Sequence, residues 1–235
     1  MTLPPKTRLP LMIASVAVIL FCVISFAVRW LHPDESMDRY WTADVDDHVG
    51  WVAAQEAARV TGGKANIIVT LMAPEKKAGG SEEQQAYHYM TGFRKGLSEH
   101  PASATLKILA TKCARDDAHA SMHGWPALTK IEDFSREFPA CNLIVLFSRL
   151  PPTTPGERLG DPTKLPGVIV VQYPPLPNMW KDLFDTGLVR VIFANKPIGI
   201  AQGSGGSHQA REIVEQHYWI VTPSNLDELS HKVGG

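Results

Sequence analysis

The chain has 235 residues, of which 44% are hydrophobic and 20% are charged, and these values exclude a disordered chain or a protein with many membrane spans. Lysine and arginine number 23 against 24 acidic residues, so no basic excess is present to neutralise phosphates, and no nucleic-acid partner is expected. Cys22, Cys113 and Cys141 form no CxxC pair and no even set, which argues against a disulfide framework.

An apolar segment near the N-terminus predicts a transmembrane helix over residues 9–30. Its core runs from Leu11 to Val28 without a charge and includes Ile19 and Phe21, and Trp30 follows as an interfacial anchor. At about 1.5 Å per residue, roughly 20 residues cross the hydrocarbon core of a bilayer. A cleaved signal peptide is the alternative, because residues 25–27 resemble a cleavage site. The length of the apolar run favours an uncleaved, single-pass signal-anchor.

The charges that flank this segment predict its orientation. Lys6 and Arg8 precede it, which places residues 1–8 in the cytoplasm and the rest of the chain on the extracytoplasmic (periplasmic) side. The bias is small, because Arg29 follows the segment directly, so a cytoplasmic body remains the alternative.

Residues 31–64 are predicted to form a connector and a lead-in helix. Apolar residues recur at helical spacing from Val49 to Val60. Asp46 or Asp47 is available as the N-terminal cap of this helix, and Gly62 as its end.

Residues 65–235 alternate between short apolar runs, typical of buried strands, and amphipathic segments, typical of helices. The predicted strands are Ile67–Met72, Leu106–Ala110, Leu143–Phe147, Val168–Gln172, Val189–Ala194 and Tyr218–Val221. The predicted helices are Glu82–Glu99, with Ser81 and Gln84 as a capping box and Tyr89 in its apolar stripe, then Trp125–Phe138, Asn178–Thr186, Gln209–Gln216 and a last helix from Ser224 through Leu229. Strands that are apolar on both faces predict a doubly wound, mostly parallel, three-layer α/β sandwich.

The stretch from Ala65 to Ala110 carries a strand, then a Tyr-x-x-Gly-Phe motif at Tyr89, Gly92 and Phe93, then a second strand. In this order it resembles the opening of the type I periplasmic binding proteins, the sugar-binding and LacI-like family. The resemblance implies that the Gly-Phe pair packs the helix tightly against the sheet. That family has two lobes that close on a ligand, and this chain has room for one. The resemblance therefore implies ligand capture by a homodimer or by an open single-lobe surface.

Ligands of doubly wound sheets bind at the carboxyl ends of the strands. The polar side chains predicted there are Glu75, Lys76, Arg115, Asp116, Ser148, Arg149, Gln172 and Asn195. Because this set is mixed in charge, we expect it to hydrogen-bond a small polar ligand. Alanine at Arg115, Asp116 or Arg149 is then expected to abolish a ligand-dependent rise in melting temperature.

The sequence contains no P-loop, no GxSxG, no HExxH and no GxGxxG after a strand, so no catalytic residue and no cofactor is predicted. Gly203–Gly206 resembles an anion-binding nest but lacks the lysine of a P-loop. Cys113, His119 and His123 could serve as metal ligands, but solvated loop residues are the favoured interpretation, so no metal site is predicted.

These observations favour a membrane-anchored, non-enzymatic, extracytoplasmic domain that acts as a solute-binding or sensing component. The alternative is a structural accessory subunit of a larger membrane complex, whose helix packs against other integral membrane proteins and whose domain caps the assembly. An enzyme on the same scaffold is a third hypothesis. The expected partners are the lipid bilayer, other integral membrane proteins or a second copy of the chain, and a small polar ligand.

Overall fold

The computed structural model describes residues 35–113, 129–147, 161–173, 176–196 and 210–234. The chain divides into two compact units, Met1–Thr42 and Ala43–Gly235. The described elements, in chain order, are α1 (Glu35–Val60), β1 (Ala65–Leu71), α2 (Ser81–Glu99), β2 (Leu106–Cys113), α3 (Thr129–Glu137), β3 (Leu143–Phe147), β4 (Gly167–Tyr173), α4 (Pro177–Asp185), β5 (Val189–Asn195), α5 (Ala210–His217), β6 (Tyr218–Val221) and α6 (Leu226–Gly234). Short 3₁₀ turns lie at Ser103–Thr105 and Pro162–Lys164.

The described strands form one sheet in the order β2-β1-β3-β4-β5-β6. Neighbours from β2 to β5 run parallel, and β6 runs antiparallel to β5. All five residues of β3 are buried, as expected for an apolar, β-branched strand that is covered on both faces. The predicted doubly wound, mostly parallel α/β architecture is confirmed.

Each face of the sheet has its own hydrophobic cluster. On one face, α1, α2 and α5 contribute Val52, Phe93 and Val214, which pack with strand residues such as Ile67. On the other face, α3 and α4 contribute Phe134 and Trp180, and α6 packs against the same cluster. Alternate residues of each strand point to opposite faces, so these two clusters complete the three-layer sandwich.

Helices α1 and α2 lie side by side in parallel and in close contact. Trp51 donates its indole N–H to Glu99 at 2.8 Å, and Gln55 donates its amide to the carbonyl of Gly96 at 2.9 Å. A Cβ atom at Gly50 would overlap with the backbone of Tyr89, and one at Gly92 would overlap with the carbonyl of Asp47. Glycine is therefore required where the two backbones meet.

Of the Gly-Phe pair, Phe93 contacts the sheet and Gly92 contacts α1. This corrects the expectation that the pair packs α2 against the sheet. Phe93 does pack on the sheet, with its ring edge-on to Phe147 at 5.8 Å between centroids. Gly92 instead faces α1 at Asp47. The reason is that α1 occupies the space beside α2, so the glycine serves helix–helix contact.

Two predicted helix starts are also wrong. Helix α1 begins at Glu35, so Asp46 and Asp47 lie within it and do not cap it. Helix α2 begins with Gly80 as its N-cap, and the Gly80 N–H donates to the carboxylate of Glu83 at 2.9 Å, which replaces the predicted pair of Ser81 and Gln84. The carboxylate of Glu83 reaches back to the cap of α2, and the carboxyl of Asp46 is bonded by Gln85 of α2 and does not cap its own helix.

Within the part of the chain that the structure describes, no helix combines the length and the apolar character needed to cross a bilayer. The segment 9–30 that is predicted to do so, with Leu11, Ile19, Phe21, Val28 and Trp30, lies outside the described residues.

Candidate functional site

The structure describes some of the predicted ligand-binding residues and not others. Glu75 and Lys76 lie in the loop after β1, and Asn195 ends β5. Gln172 belongs to β4, but its side chain is outside the described part. Residues Arg115, Asp116, Ser148 and Arg149 also lie outside it, as do His119 and His123.

Two of the three charged residues of the loop after β1, Glu75 and Lys76, are held in ion pairs with α2. The Arg94 guanidinium donates to both carboxylate oxygens of Glu75, at 2.7 and 2.8 Å. Lys76 donates to the carboxylate of Glu83 at 2.8 Å, and its backbone N–H bonds the Glu83 carbonyl at 3.2 Å. These pairs tie the loop to α2 and neutralise the charges of Glu75 and Lys76. Among the described residues, no hydrogen bond or ion pair is recorded between this loop and Asn195.

Asn195 lies directly opposite Tyr218 in the antiparallel pair of β5 and β6, so the two side chains share one face of the sheet. That face is the one covered by α1 and α2, because Tyr218 belongs to their hydrophobic cluster. The side-chain oxygen of Asn195 is buried and has no hydrogen-bond partner among the described residues. The end of β5 therefore carries a buried acceptor whose hydrogen-bonding capacity is unused.

A buried hydrogen-bonded network adjoins Asn195 at the carboxyl edge of the sheet. Tyr89, from α2, bonds both Asp46 of α1 and Tyr218 of β6, and the Gln85 amide donates to Asp46 at 3.4 Å. A phenol has a single proton, so when Asp46 is ionised Tyr89 donates to it and accepts from Tyr218. We call Asp46, Gln85, Tyr89, Tyr218 and Asn195 the carboxyl-edge cluster.

Burial dominates the ionisation of this cluster. It raises the pKa of the Asp46 carboxyl from 3.8 to about 7, although the hydrogen bonds from Tyr89 and Gln85 act in the opposite direction. Burial also raises the pKa of the Tyr89 phenol well above 10, so this hydroxyl stays protonated. The Tyr89 ring is fixed by stacking on Phe147 at 4.8 Å between centroids. The cluster thus offers rigid donors and acceptors at neutral pH.

Four members of this cluster, Asp46, Gln85, Tyr89 and Tyr218, are not among the site residues predicted from the sequence. Asp46 was assigned as a helix cap, Tyr89 as an apolar stripe residue and Tyr218 as part of a strand. A signal was present for one of them, because Asp46 continues the helical spacing of Val49, Ala53 and Ala57 and so lies on the face that α1 buries. The described residues also contain no group of three or more His, Cys, Asp or Glu side chains that could hold a metal ion.

Comparison with family models and with curated protein sequences finds no match. Comparison with solved structures finds the same fold in a solute-binding protein of an ABC transporter and a more distant likeness to others. One from Burkholderia graminis, solved in complex with D-arabinose, is 18% identical, with 77% of this chain and 61% of that chain covered and a TM-score of 0.51. A sugar ABC transporter protein from Actinomyces odontolyticus is 13% identical, with 78% and 63% covered and a TM-score of 0.49.

This chain therefore spans about three fifths of the length of the solved proteins that it matches. At 18% identity the likeness shows the fold alone. The resemblance to type I periplasmic binding proteins, predicted from Tyr89, Gly92 and Phe93, is confirmed at that level.

Proposed function

We propose that this protein is a membrane-anchored, non-enzymatic solute-binding or sensing component, with its α/β domain on the extracytoplasmic side. Residues 9–30 supply the anchor, and the carboxyl-edge cluster, together with polar residues that follow the parallel strands, supplies the ligand site. The fold likeness to an arabinose-bound solute-binding protein supports this assignment.

The observation that carries the proposal is the buried, unpartnered oxygen of Asn195. A buried acceptor without a hydrogen bond costs about 1–3 kcal/mol, so such atoms normally have a partner in the functional state of a protein. Asn195 ends a parallel strand, where doubly wound sheets bind their ligands. A ligand hydroxyl is the donor that this oxygen fits.

The ligand that suits this edge is a small neutral molecule rich in hydroxyl groups, such as a sugar. The charges of Glu75 and Lys76 are already compensated by Arg94 and Glu83, so they attract no ion. Asn195, Gln85 and Tyr218 are uncharged groups that both donate and accept hydrogen bonds. Hydroxyl groups match this mixture because each of them also donates and accepts.

We expect D-arabinose or another neutral pentose or hexose to raise the melting temperature of the full chain in detergent, and Asn195→Leu to remove most of that rise. Asn66→Ala is the matched control. Asn66 lies at the start of β1, at the edge of the sheet opposite the carboxyl ends of the parallel strands, where its amide donates to the carbonyl of Ala140 at 3.0 Å. Thermal shifts measured across a panel of neutral sugars test both variants. A sugar-dependent rise that survives Asn195→Leu as fully as it survives Asn66→Ala would contradict this site.

Purification separates this function from the accessory-subunit hypothesis. The full chain is extracted from its native membrane in mild detergent, and co-purifying proteins are identified with their stoichiometry. Recovery of the chain alone or as a homodimer supports solute binding. A fixed set of integral membrane proteins, together with no sugar response, would overturn it.

A further inference from the structure

A groove of about 280 Å³ lies along β6, the strand that ends the sheet, and is bordered by α5 and α6. Its walls carry three cationic side chains, Lys196, Arg211 and Lys232, and the apolar surfaces of Trp219 and Leu229. The Trp219 ring is held edge-on to Trp180 at 6.2 Å between centroids, so the groove has a fixed aromatic wall.

Arg211 is fully engaged and adds no net charge to the groove. It donates to Glu56 at 2.9 Å and to Glu215 at 2.8 Å, and Glu56 also accepts from Arg59 at 2.6 Å. Glu56 is buried, with 2% of its surface exposed, so this network is anchored inside the protein. Two guanidinium groups and two carboxylates balance one another.

The two lysines are left without a carboxylate partner. In the described part of the chain, no carboxylate oxygen lies within 4.0 Å of either ammonium group. Lys196 instead donates to the backbone carbonyl of Glu215 and lies over the Trp219 ring, 5.9 Å from its centroid. Residues 197–209, which follow Lys196 directly, contain no aspartate or glutamate. Among the described residues, neither lysine of the groove therefore has a carboxylate in ion-pair contact, and only the more distant carboxylate of Glu215 acts on Lys196.

The pKa values of groups in and beside the groove are consistent with an excess of positive charge there. Burial lowers the pKa of Lys196, and the charge of Lys232 lowers it further. Burial and the charge of Lys196 lower the pKa of His217, so that imidazole is neutral at pH 7. A bound anion would relieve the repulsion between the two ammonium groups.

We propose that this groove binds the anionic group of a small organic molecule, a phosphate or a carboxylate, between Lys196 and Lys232, with the body of the ligand against Trp219. This site goes beyond the neutral-solute site at Asn195: Tyr218 borders both, but the groove adds Lys196, Trp219 and Lys232 and selects for charge. Two ammonium donors bind an oxyanion by charge-assisted hydrogen bonds, and an aromatic ring provides apolar contact for the carbon skeleton.

Calorimetric titration of the full chain in detergent tests the proposal with glucose 6-phosphate, gluconate and glucose as probes. We expect at least one of the two anions to bind more tightly than glucose. Lys196→Met and Lys232→Met should each weaken anion binding about tenfold, since a hydrogen bond to a charged group is lost. Lys196→Arg, which keeps the charge, should retain most of the affinity.

Lys107→Met is the matched control, because it removes one positive charge from β2, the strand at the other end of the sheet, and should leave anion binding unchanged. Two results would overturn the proposal: neither anion binds, or the two groove variants bind the anions as Lys107→Met does. The melting temperature of each variant without ligand identifies loss of folding. The groove variants test the anion site and Asn195→Leu tests the neutral-sugar site, so the two proposals can fail independently.

Discussion

Asp46 keeps its carboxyl inside the buried face of α1, and this placement makes the stability of the domain depend on pH. The pKa of the carboxyl is raised from 3.8 to about 7, so the folded protein binds this proton more tightly than the unfolded chain does. The stabilisation is complete below about pH 4 and is lost as the pH rises through 7. A shift of this size corresponds to about 4 kcal/mol.

We expect Asp46→Asn to remove this pH dependence. The amide can still hydrogen-bond Tyr89 and Gln85 but carries no charge to bury, so the variant should be more stable than the parent at pH 8. At pH 4 the two proteins should be nearly equal. Urea unfolding at pH 4, 6 and 8 gives the free energies of unfolding.

Asp44→Asn is the control, since Asp44 is an exposed carboxylate on the same helix, with 79% of its side chain accessible. Parallel pH profiles for the parent and Asp46→Asn would show that the Asp46 carboxyl is hydrated in the folded protein.

Individual residues show where sequence patterns stop being informative. Periodicity identified Tyr89 as buried, and it is, but the hydroxyl that bonds Asp46 and Tyr218 was invisible to a pattern that counts only apolar positions. Its partners come from α1 and β6, which lie far apart along the chain. Asn195 was predicted because it ends a strand, and that inference needed only local sequence.

Helices α1 and α2 depend on glycine at their contact, and this gives a prediction at the scale of the element. On helix propensity alone, Gly92→Ala would stabilise α2 by about 1 kcal/mol. The added Cβ would overlap with the carbonyl of Asp47, so we expect the variant to be less stable by about 2 kcal/mol. Thermal unfolding monitored by circular dichroism shows whether Gly92→Ala melts below or above the parent.

Thr91→Ala, an exposed position next to Gly92, controls for propensity and should leave the melting temperature within a few degrees of the parent. A Gly92→Ala protein that melts higher than the parent would mean that the two helices separate at little cost.

Element boundaries were predicted well where both faces of a strand are buried and less well elsewhere. Leu143–Phe147 was predicted to the residue, because a run of five apolar residues leaves no ambiguity. Strand β2 extends to Cys113, beyond the predicted Ala110, because an end strand tolerates exposed polar residues such as Thr111. The start of α1 was missed because its first turns carry little apolar periodicity.

At the scale of the whole molecule, the chain divides into the compact units Met1–Thr42 and Ala43–Gly235, so we expect the second unit to fold without residues 9–30. We expect replacement of residues 9–30 by a cleavable signal peptide to move the protein from the membrane fraction to the soluble fraction. The melting temperature should change by no more than a few degrees, because the two hydrophobic clusters lie in the second unit.

Fractionation and thermal unfolding of both forms test this expectation, and replacement of residues 9–30 by an unrelated transmembrane helix is the control that should stay in the membrane. Retention of the signal-peptide form in the membrane fraction would contradict anchoring by residues 9–30. Loss of cooperative unfolding would contradict the independence of the second unit.

The glycine contacts between α1 and α2 fix the orientation of α1 about its own axis. Turning α1 about its axis would place a residue with a side chain where Gly50 now meets the backbone of Tyr89, and the close contact would be lost. A force that rotates or shifts α1 would therefore displace α2 as well. It would pass to α2 and, through the stacked rings of Tyr89 and Phe147, into the middle of the sheet.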